Sequence, residues 1–216
     1  MSGPTATPTT DTHRAQVGGM FDEIGRLQLE FLKSQGVAPG DRMLDVGCGC
    51  LRGGVHFVGY LDAGNYYGVD LSADLIRAGL EVELPRAGLR GRLAPDHLLV
   101  NGAFEVSRFG VTFDVAWAQS VFTHLPSGPI RKCLAEVARC MRPGGRFFAT
   151  FFESGPDPSL PVAQQPGGHT TSPDRDPFHY RFADLAAFAD PSAWGATRIG
   201  DWGHPRAQRM ARFDRL

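Results

Sequence analysis

The chain has no run of eighteen apolar residues, so no helix is expected to cross a membrane. It has no excess of charge of either sign: 22 basic and 23 acidic residues leave a net charge of −1. That excludes the global attraction of a basic protein to nucleic acid or to an anionic membrane. Lysine occurs only at Lys33 and Lys132. Cysteine is scarce, and Cys48, Cys50, Cys133 and Cys140 have neither the pattern of a disulfide framework nor a zinc-ligand spacing. They read as free thiols of a cytoplasmic protein. The first residues, MSGPTATPTTDTHRAQ, lack the apolar core of a signal peptide, and residues 1–18 are expected to form a disordered leader.

With 216 residues, 42% of them hydrophobic, the chain is long enough for one domain with a full core, expected over residues 19–216. The segment GMFDEIGRLQLEFLKSQG has apolar residues at helical spacing and stops at Gly36. RMLDVG, NYYGVD, HLLVNGA, FDVAWAQS and RFFATFFE read as strands. GGVHFVGYL, SADLIRAGLEVEL and PIRKCLAEVARCM read as the helices between them, with Ser72 as an N-cap. Residues 154–177, rich in Pro, Gly, Ser and Asp, read as a long loop on the acceptor side, functional or disordered. RFADLAAFA follows as a short helix, and WGATRIGDWG and RMARFDRL as two closing strands. Alternating strands and helices predict an α/β fold: a doubly wound, three-layer sheet of seven strands, mostly parallel, with an antiparallel C-terminal hairpin. Ligands of such sheets bind beyond the carboxyl ends of the strands.

The first strand ends in Asp45-Val46-Gly47-Cys48-Gly49, a turn in which glycine lets the backbone approach a ligand. The second ends in Asp70, placed to accept the two hydroxyls of a ribose. An adenosine-type cofactor fits the pair. The dinucleotide pattern GxGxxG fails here, because Arg52 stands at its third glycine. A looser spacing ending at Gly53 keeps a nicotinamide-dependent oxidoreductase as an alternative.

These stretches together resemble a known family, the class I S-adenosylmethionine (SAM) dependent methyltransferases. LDVGCGC is similar to their first motif, YYGVDLS to their second, FDVAWAQSVFTHLP to the fourth-strand motif, and LAEVARCMRPGGRFFAT to the helix, turn and fifth strand after it. The blocks follow in order over about residues 40–152. The resemblance implies SAM as cofactor, with Gly47, Cys48 and Gly49 along its methionine part and Asp45 acting through the loop. It places Asp70, followed by Leu71, on the ribose, and Asn101, Gly102, Ala103 and Phe104 beside the adenine. Asn101 departs from the commoner acid, but an amide still offers donor and acceptor. Gln119 and Ser120 would flank the methionine and the methyl group. Leu51 stands where the family often has glycine and reads as packing the start of the helix. Arg52 reads either as capping a carboxylate, of the methionine moiety or of an acidic acceptor, or as a solvated side chain, with the functional contact preferred.

SAM carries an activated methyl, so alignment is the main requirement and a base is optional. His124 is the first candidate base, His179 with Tyr180 the second, and His204 a third; His56 reads as structural. Asp157, His169, Asp174 and Asp176 lie in the long loop, but their proline-rich spacing does not suit a metal, and none is expected. No Asn-Pro-Pro-Tyr run follows the fourth strand, where Gln119-Ser120-Val121-Phe122 stand. The implied activity is methyl transfer to an oxygen or nitrogen (less readily carbon) of a small molecule or peptide, by a monomer or homodimer without nucleic-acid partners. A SAM-binding partner subunit without catalysis is the other alternative.

Overall fold

The computed structural model describes residues 12–155 and 162–216. Its helices are α1 (Thr12–Gln16), α2 (Phe21–Ser34), α3 (Gly54–Tyr60), α4 (Ala73–Ala78), α5 (Leu84–Arg86), α6 (Ser127–Cys140) and α7 (Phe182–Phe188). Its strands are β1 (Met43–Val46), β2 (Tyr66–Asp70), β3 (Leu98–Val100), β4 (Phe113–Ala118), β5 (Met141–Glu153), β6 (Ala163–Gln164), β7 (Thr170–Thr171), β8 (His179–Tyr180), β9 (Trp194–Gly200) and β10 (Arg209–Arg215). The main sheet runs β3-β2-β1-β4-β5-β10-β9, and β8 pairs with the end of β5. Strands β1 to β5 are mutually parallel where they pair. β10 is antiparallel to both β5 and β9. This is the expected seven-strand class I arrangement.

The sheet is buried on both faces, which is why its strands read as nearly continuous apolar runs. Leu44, Val46, Ala116, Ala118, Phe147 and Ala149 point to one face and pack with Ile130, Leu134 and Val137 of α6. Met43, Val115, Trp117 and Phe148 point to the other and pack with Phe31 and Leu32 of α2 and Phe57 of α3. α2 turns Phe21, Ile24, Gln28, Phe31 and Leu32 inward. Asp22 and Glu23 in its first turn and Lys33 in its last complement the helix dipole. The buried Gln28 amide of α2 accepts a 2.7 Å hydrogen bond from the Trp117 indole. Ser72 caps α4, accepting from the Leu75 N–H at 3.2 Å, a contact typically worth about 1 kcal/mol.

Chain order reverses between β1 and β4: β2 and β3 lie on one side, β5 and the hairpin on the other. A crevice opens at such a switch point, above the carboxyl ends of the strands.

Two expectations change. The leader was expected to run to residue 18, but residues 12–16 are helical. His13 and Arg14 both bond the buried carboxylate of Glu83, Arg14 through two nitrogens. Burial raises the Glu83 carboxyl, but the hydrogen bonds from Arg14 and His13 overcome it and hold it below its ordinary value. The remainder of that leader, residues 1–11, lies outside the described residues. The long loop is also more structured than its composition suggests. β6 and β7 form a small antiparallel hairpin within it, and Ser172 bridges to Phe178. Asp157, one of its acids, lies outside the described residues.

Candidate functional site

At the switch point lies a cavity of about 660 Å3. Its floor is the turn after β1. Gly47 adopts φ 73°, and a Cβ there would overlap the Val121 side chain, so only glycine fits. Asp70, at the end of β2, accepts from the Gly49 N–H through Oδ2 and from the Ser72 N–H through Oδ1, each at 2.8 Å. Its carboxylate thus braces the glycine turn and keeps further lone pairs toward the cavity it lines.

Asp45 lies beneath the turn, 4% exposed, and accepts from the Tyr66 hydroxyl at 2.8 Å. Burial pushes its carboxyl up to about 7; the Tyr66 hydrogen bond opposes the rise, nearby Asp70 adds to it, and Arg52 offsets it. The Tyr66 phenol is raised in turn, by burial first and then by the Asp45 charge.

Leu51 adopts φ 65°, the left-handed conformation that normally favours glycine. Its side chain is fully buried. It fills space left by Gly54 and Gly79: a Cβ on Gly54 would come within 2.9 Å of Leu51 Cβ, and one on Gly79 within 2.6 Å of Leu51 Cγ. Packing of Leu51 at the start of α3 agrees with the sequence reading, and it supplies a reason for the strained backbone.

Arg52 is 7% exposed. Its guanidinium donates to the carbonyls of Val17 and Gly19, at 2.6 and 3.1 Å, and to the side-chain oxygen of Gln119. Burial lowers its proton affinity to about 10, so it remains charged at neutral pH. It therefore ties the segment after α1 to the end of β4. Arg206, in the turn between β9 and β10, adds a 2.6 Å bond to the Gly18 carbonyl. Gln16, Val17 and Gly18 consequently line the cavity.

Of the residues expected beside a cofactor, Asp45, Gly47, Cys48, Gly49, Arg52, Asp70, Leu71, Asn101, Gly102, Gln119 and Ser120 line the cavity, as does Phe104. Ala103 does not. The Asn101 amide is engaged locally: its oxygen accepts from the Ala103 and Glu105 N–H groups and its nitrogen donates to Glu105. It shapes the turn instead of presenting a free amide edge, and Leu71, 78% exposed, offers an apolar surface nearby.

Beyond β4, Ser120 adopts φ 59°, an unusual conformation for this residue type and one that recurs at functional positions. Its hydroxyl joins Gln119, Thr150 and Gln208 in one hydrogen-bond network. His204 stands 3.3 Å from the Gln119 amide. Burial, with Arg52 and Arg206 nearby, depresses His204 to about 4, so its imidazole is neutral at pH 7.

His124 follows β4 at the cavity rim. Its Nδ1 lies 2.6 Å from Asp176 Oδ1, across 52 residues of sequence. With Nδ1–H donating to the carboxylate, Nε2 is left as an acceptor. His179 and Tyr180 are placed differently from expectation. Neither lines the cavity. His179 is 6% exposed, with Nδ1 2.9 Å from the Thr171 hydroxyl, and burial lowers its proton affinity. The Tyr180 hydroxyl donates to the Leu125 carbonyl at 2.6 Å. Both side chains anchor β8 beside β5. Sequence reasoning did not single out Gln28, Phe152, Arg206 or Gln208, which also line the cavity.

A family model described as a methyltransferase domain matches residues 44–147. The chain is 31% identical over 132 residues to the ubiquinone biosynthesis O-methyltransferase of Ralstonia nicotianae, covering 59% of this chain and 50% of that protein. It is 25% identical over 135 residues to phosphoethanolamine N-methyltransferase 1 of Zea mays, covering 59% of this chain and 24% of that one. It thus spans half or less of the length of these relatives. The solved structure of magnesium protoporphyrin IX methyltransferase from Synechocystis PCC 6803, with SAM bound, aligns with 99% of this chain and 87% of its own. The TM-score is 0.64 at 14% identity, a likeness of fold.

Proposed function

We propose that the chain, in which a methyltransferase-domain model matches residues 44–147, is a class I SAM-dependent methyltransferase that binds SAM across the ends of β1 and β2 and moves the SAM methyl to an oxygen or nitrogen nucleophile of a small molecule. The observation that carries this reading is the continuity of one cavity from Asp70 and the glycine turn to His124 at the rim, whose ring is paired with Asp176.

Asp70 accepts the ribose hydroxyls while its protein hydrogen bonds hold the carboxylate in place. Leu71 and Phe104 flank the adenine, and Gly47, Cys48 and Gly49 present backbone to the methionine portion. Gln119 and Ser120 border the sulfur and methyl. The fold aligns acceptor, methyl carbon and sulfur, so most of the acceleration comes from positioning. A lone pair on the acceptor forms the new bond to the methyl carbon as the carbon–sulfur bond breaks. Sulfur keeps the bonding pair and becomes the neutral thioether of S-adenosylhomocysteine (SAH). The acceptor proton passes to Nε2 of His124, whose ring Asp176 orients through Nδ1.

Titration calorimetry of SAM and SAH, followed by SAH release with a panel of hydroxyl and amine acceptors, tests the reading. Micromolar binding and turnover of a hydroxyl compound are expected. Absence of binding by either ligand overturns it.

A further inference from the structure

Charge is distributed unevenly around the cavity. Among the described residues, the carboxylates lining it are Asp45 and Asp70, both at the ends of β1 and β2. Asp45 is bonded to Tyr66, and Asp70 to two backbone N–H groups. Arg52, Arg206 and His169 line it too, Arg52 near enough to Asp45 to offset the rise of its carboxyl and Arg206 against the β6–β7 hairpin. Neither guanidinium meets a carboxylate among the described residues: Arg52 donates to two carbonyls and an amide, and Arg206 to the Gly18 carbonyl. Asp176, outside the lining, is engaged by His124.

Arg206 is also held in place. A Cβ on Gly167 would come within 2.5 Å of its Cα, and one on Gly18 within 2.7 Å of its Nη1. Backbone from the β6–β7 hairpin and from the strap after α1 closes against it on two sides. Its backbone N–H donates to His204 Nδ1 at 3.2 Å. A guanidinium fixed in this way is preorganised for a planar oxyanion.

SAM does not balance this charge. Its sulfonium and ammonium outweigh its one carboxylate, so binding it adds a net positive charge to a cavity whose two arginines already offset its two carboxylates. Positive charge gathered in a partly desolvated site is costly unless a counter-charge arrives.

We propose that the methyl acceptor is an anionic small molecule whose carboxylate or phosphate is bound by Arg206, on the His169 side of the cavity. This rests on the methyltransferase reading above and narrows its substrate class. Arg52, buried and tied to Gln119, serves the methionine end; Arg206 serves the acceptor. The hydroxyl or amine to be methylated then faces His124.

The test uses the full chain saturated with SAH, titrated with benzoate, phenyl phosphate and benzamide. At least one of the two anions is expected to bind tenfold or more tightly than the neutral amide, and the stronger of them identifies the oxyanion. Arg206→Gln is expected to weaken that anion at least tenfold while the SAH dissociation constant moves less than threefold. Arg206→Lys, which keeps the charge and loses the fork, is expected to recover part of the loss. Equal binding of benzoate, phenyl phosphate and benzamide overturns the proposal, as does binding of none of them. So does an Arg206→Gln variant that loses SAH as severely as the anion, which would assign Arg206 to the methionine carboxylate. The wild-type comparison of anion with amide stands even if a variant folds poorly. Failure of SAH to bind the wild type overturns the methyltransferase reading as well; SAH binding without anion selectivity overturns this one alone.

Discussion

At the Asp70 end of the cavity the walls are strand termini, and at the His124 end they are loops. Asp45 and Asp70 are carried by β1 and β2, in the middle of the main sheet, and are cross-braced by Tyr66 and by the glycine turn. His124, His169, Asp176 and Arg206 come from four separate connections. The first end is rigid and acidic, suited to a constant ligand of positive charge. The second is built from segments that vary cheaply, and it carries Arg206, whose guanidinium meets no carboxylate among the described residues; it is suited to a ligand that differs from one relative to the next. If the two ends divide the work in this way, substitutions should separate into effects on SAM binding and effects on turnover.

The largest expected effect is at the loop end. His124→Ala should slow methyl transfer by about 10²–10⁴-fold and leave the SAM dissociation constant within a factor of about two. Asp176→Asn should slow it about tenfold, since the ring keeps a hydrogen-bond partner but loses the carboxylate acceptor that orients it through Nδ1. Single-turnover SAH release, with calorimetry alongside, checks both. Loss of SAM affinity in His124→Ala would break the division between the two ends.

At the strand end, Asp70→Ala should raise the SAM dissociation constant about tenfold or more. Two charge-assisted hydrogen bonds to the ribose are lost, each worth roughly 1.5–3 kcal/mol. The Gly49 and Ser72 N–H groups lose their acceptor at the same time. An unchanged constant by calorimetry would remove Asp70 from the cofactor site.

Next in size is Leu51, where strain and packing compete. Leu51→Gly relieves a left-handed backbone, worth about 1 kcal/mol, but empties a fully buried site, where loss of a leucine side chain costs roughly 2–5 kcal/mol. Packing should win by about 2 kcal/mol, lowering Tm by roughly 4–8 °C in a thermal melt. A higher Tm would mean that strain dominates.

The same contrast governs what was legible in the sequence. Strand ends announce themselves, because an apolar run, a glycine turn and a terminal acid fall within a few residues. MLDVGCG and YYGVD therefore placed Asp45, Gly47, Gly49 and Asp70 on the cavity. The loop end is assembled from residues far apart in sequence, and no local pattern records that His124 meets Asp176 or that Arg206 reaches Gly18. His179 and Tyr180 looked catalytic as residue types, yet strand pairing with β5 turned both toward internal partners. The strap after α1 was hidden by its polar composition. It is held by Arg14 on Glu83, Arg52 on Val17 and Gly19, and Arg206 on Gly18, and none of these pairs is visible without the fold.

The smallest expected effect sharpens the electrostatic side of the comparison. Burial holds Asp45 near 7, above the unfolded value of about 4. A carboxyl raised in this way contributes stability that is present below pH 4 and is lost as pH rises through 7. SAM reverses the preference, because its positive charge favours the ionised carboxylate across the turn. SAM affinity should therefore rise a few-fold between pH 6 and pH 8, with proton release visible as a dependence of the binding enthalpy on the buffer. At the other end His204, depressed to about 4, stays neutral throughout this window and does not contribute. Asp45→Asn, which keeps an acceptor for Tyr66 but cannot titrate near neutrality, should flatten the pH dependence. A slope that persists in the variant would move its source away from the strand end and into the loops.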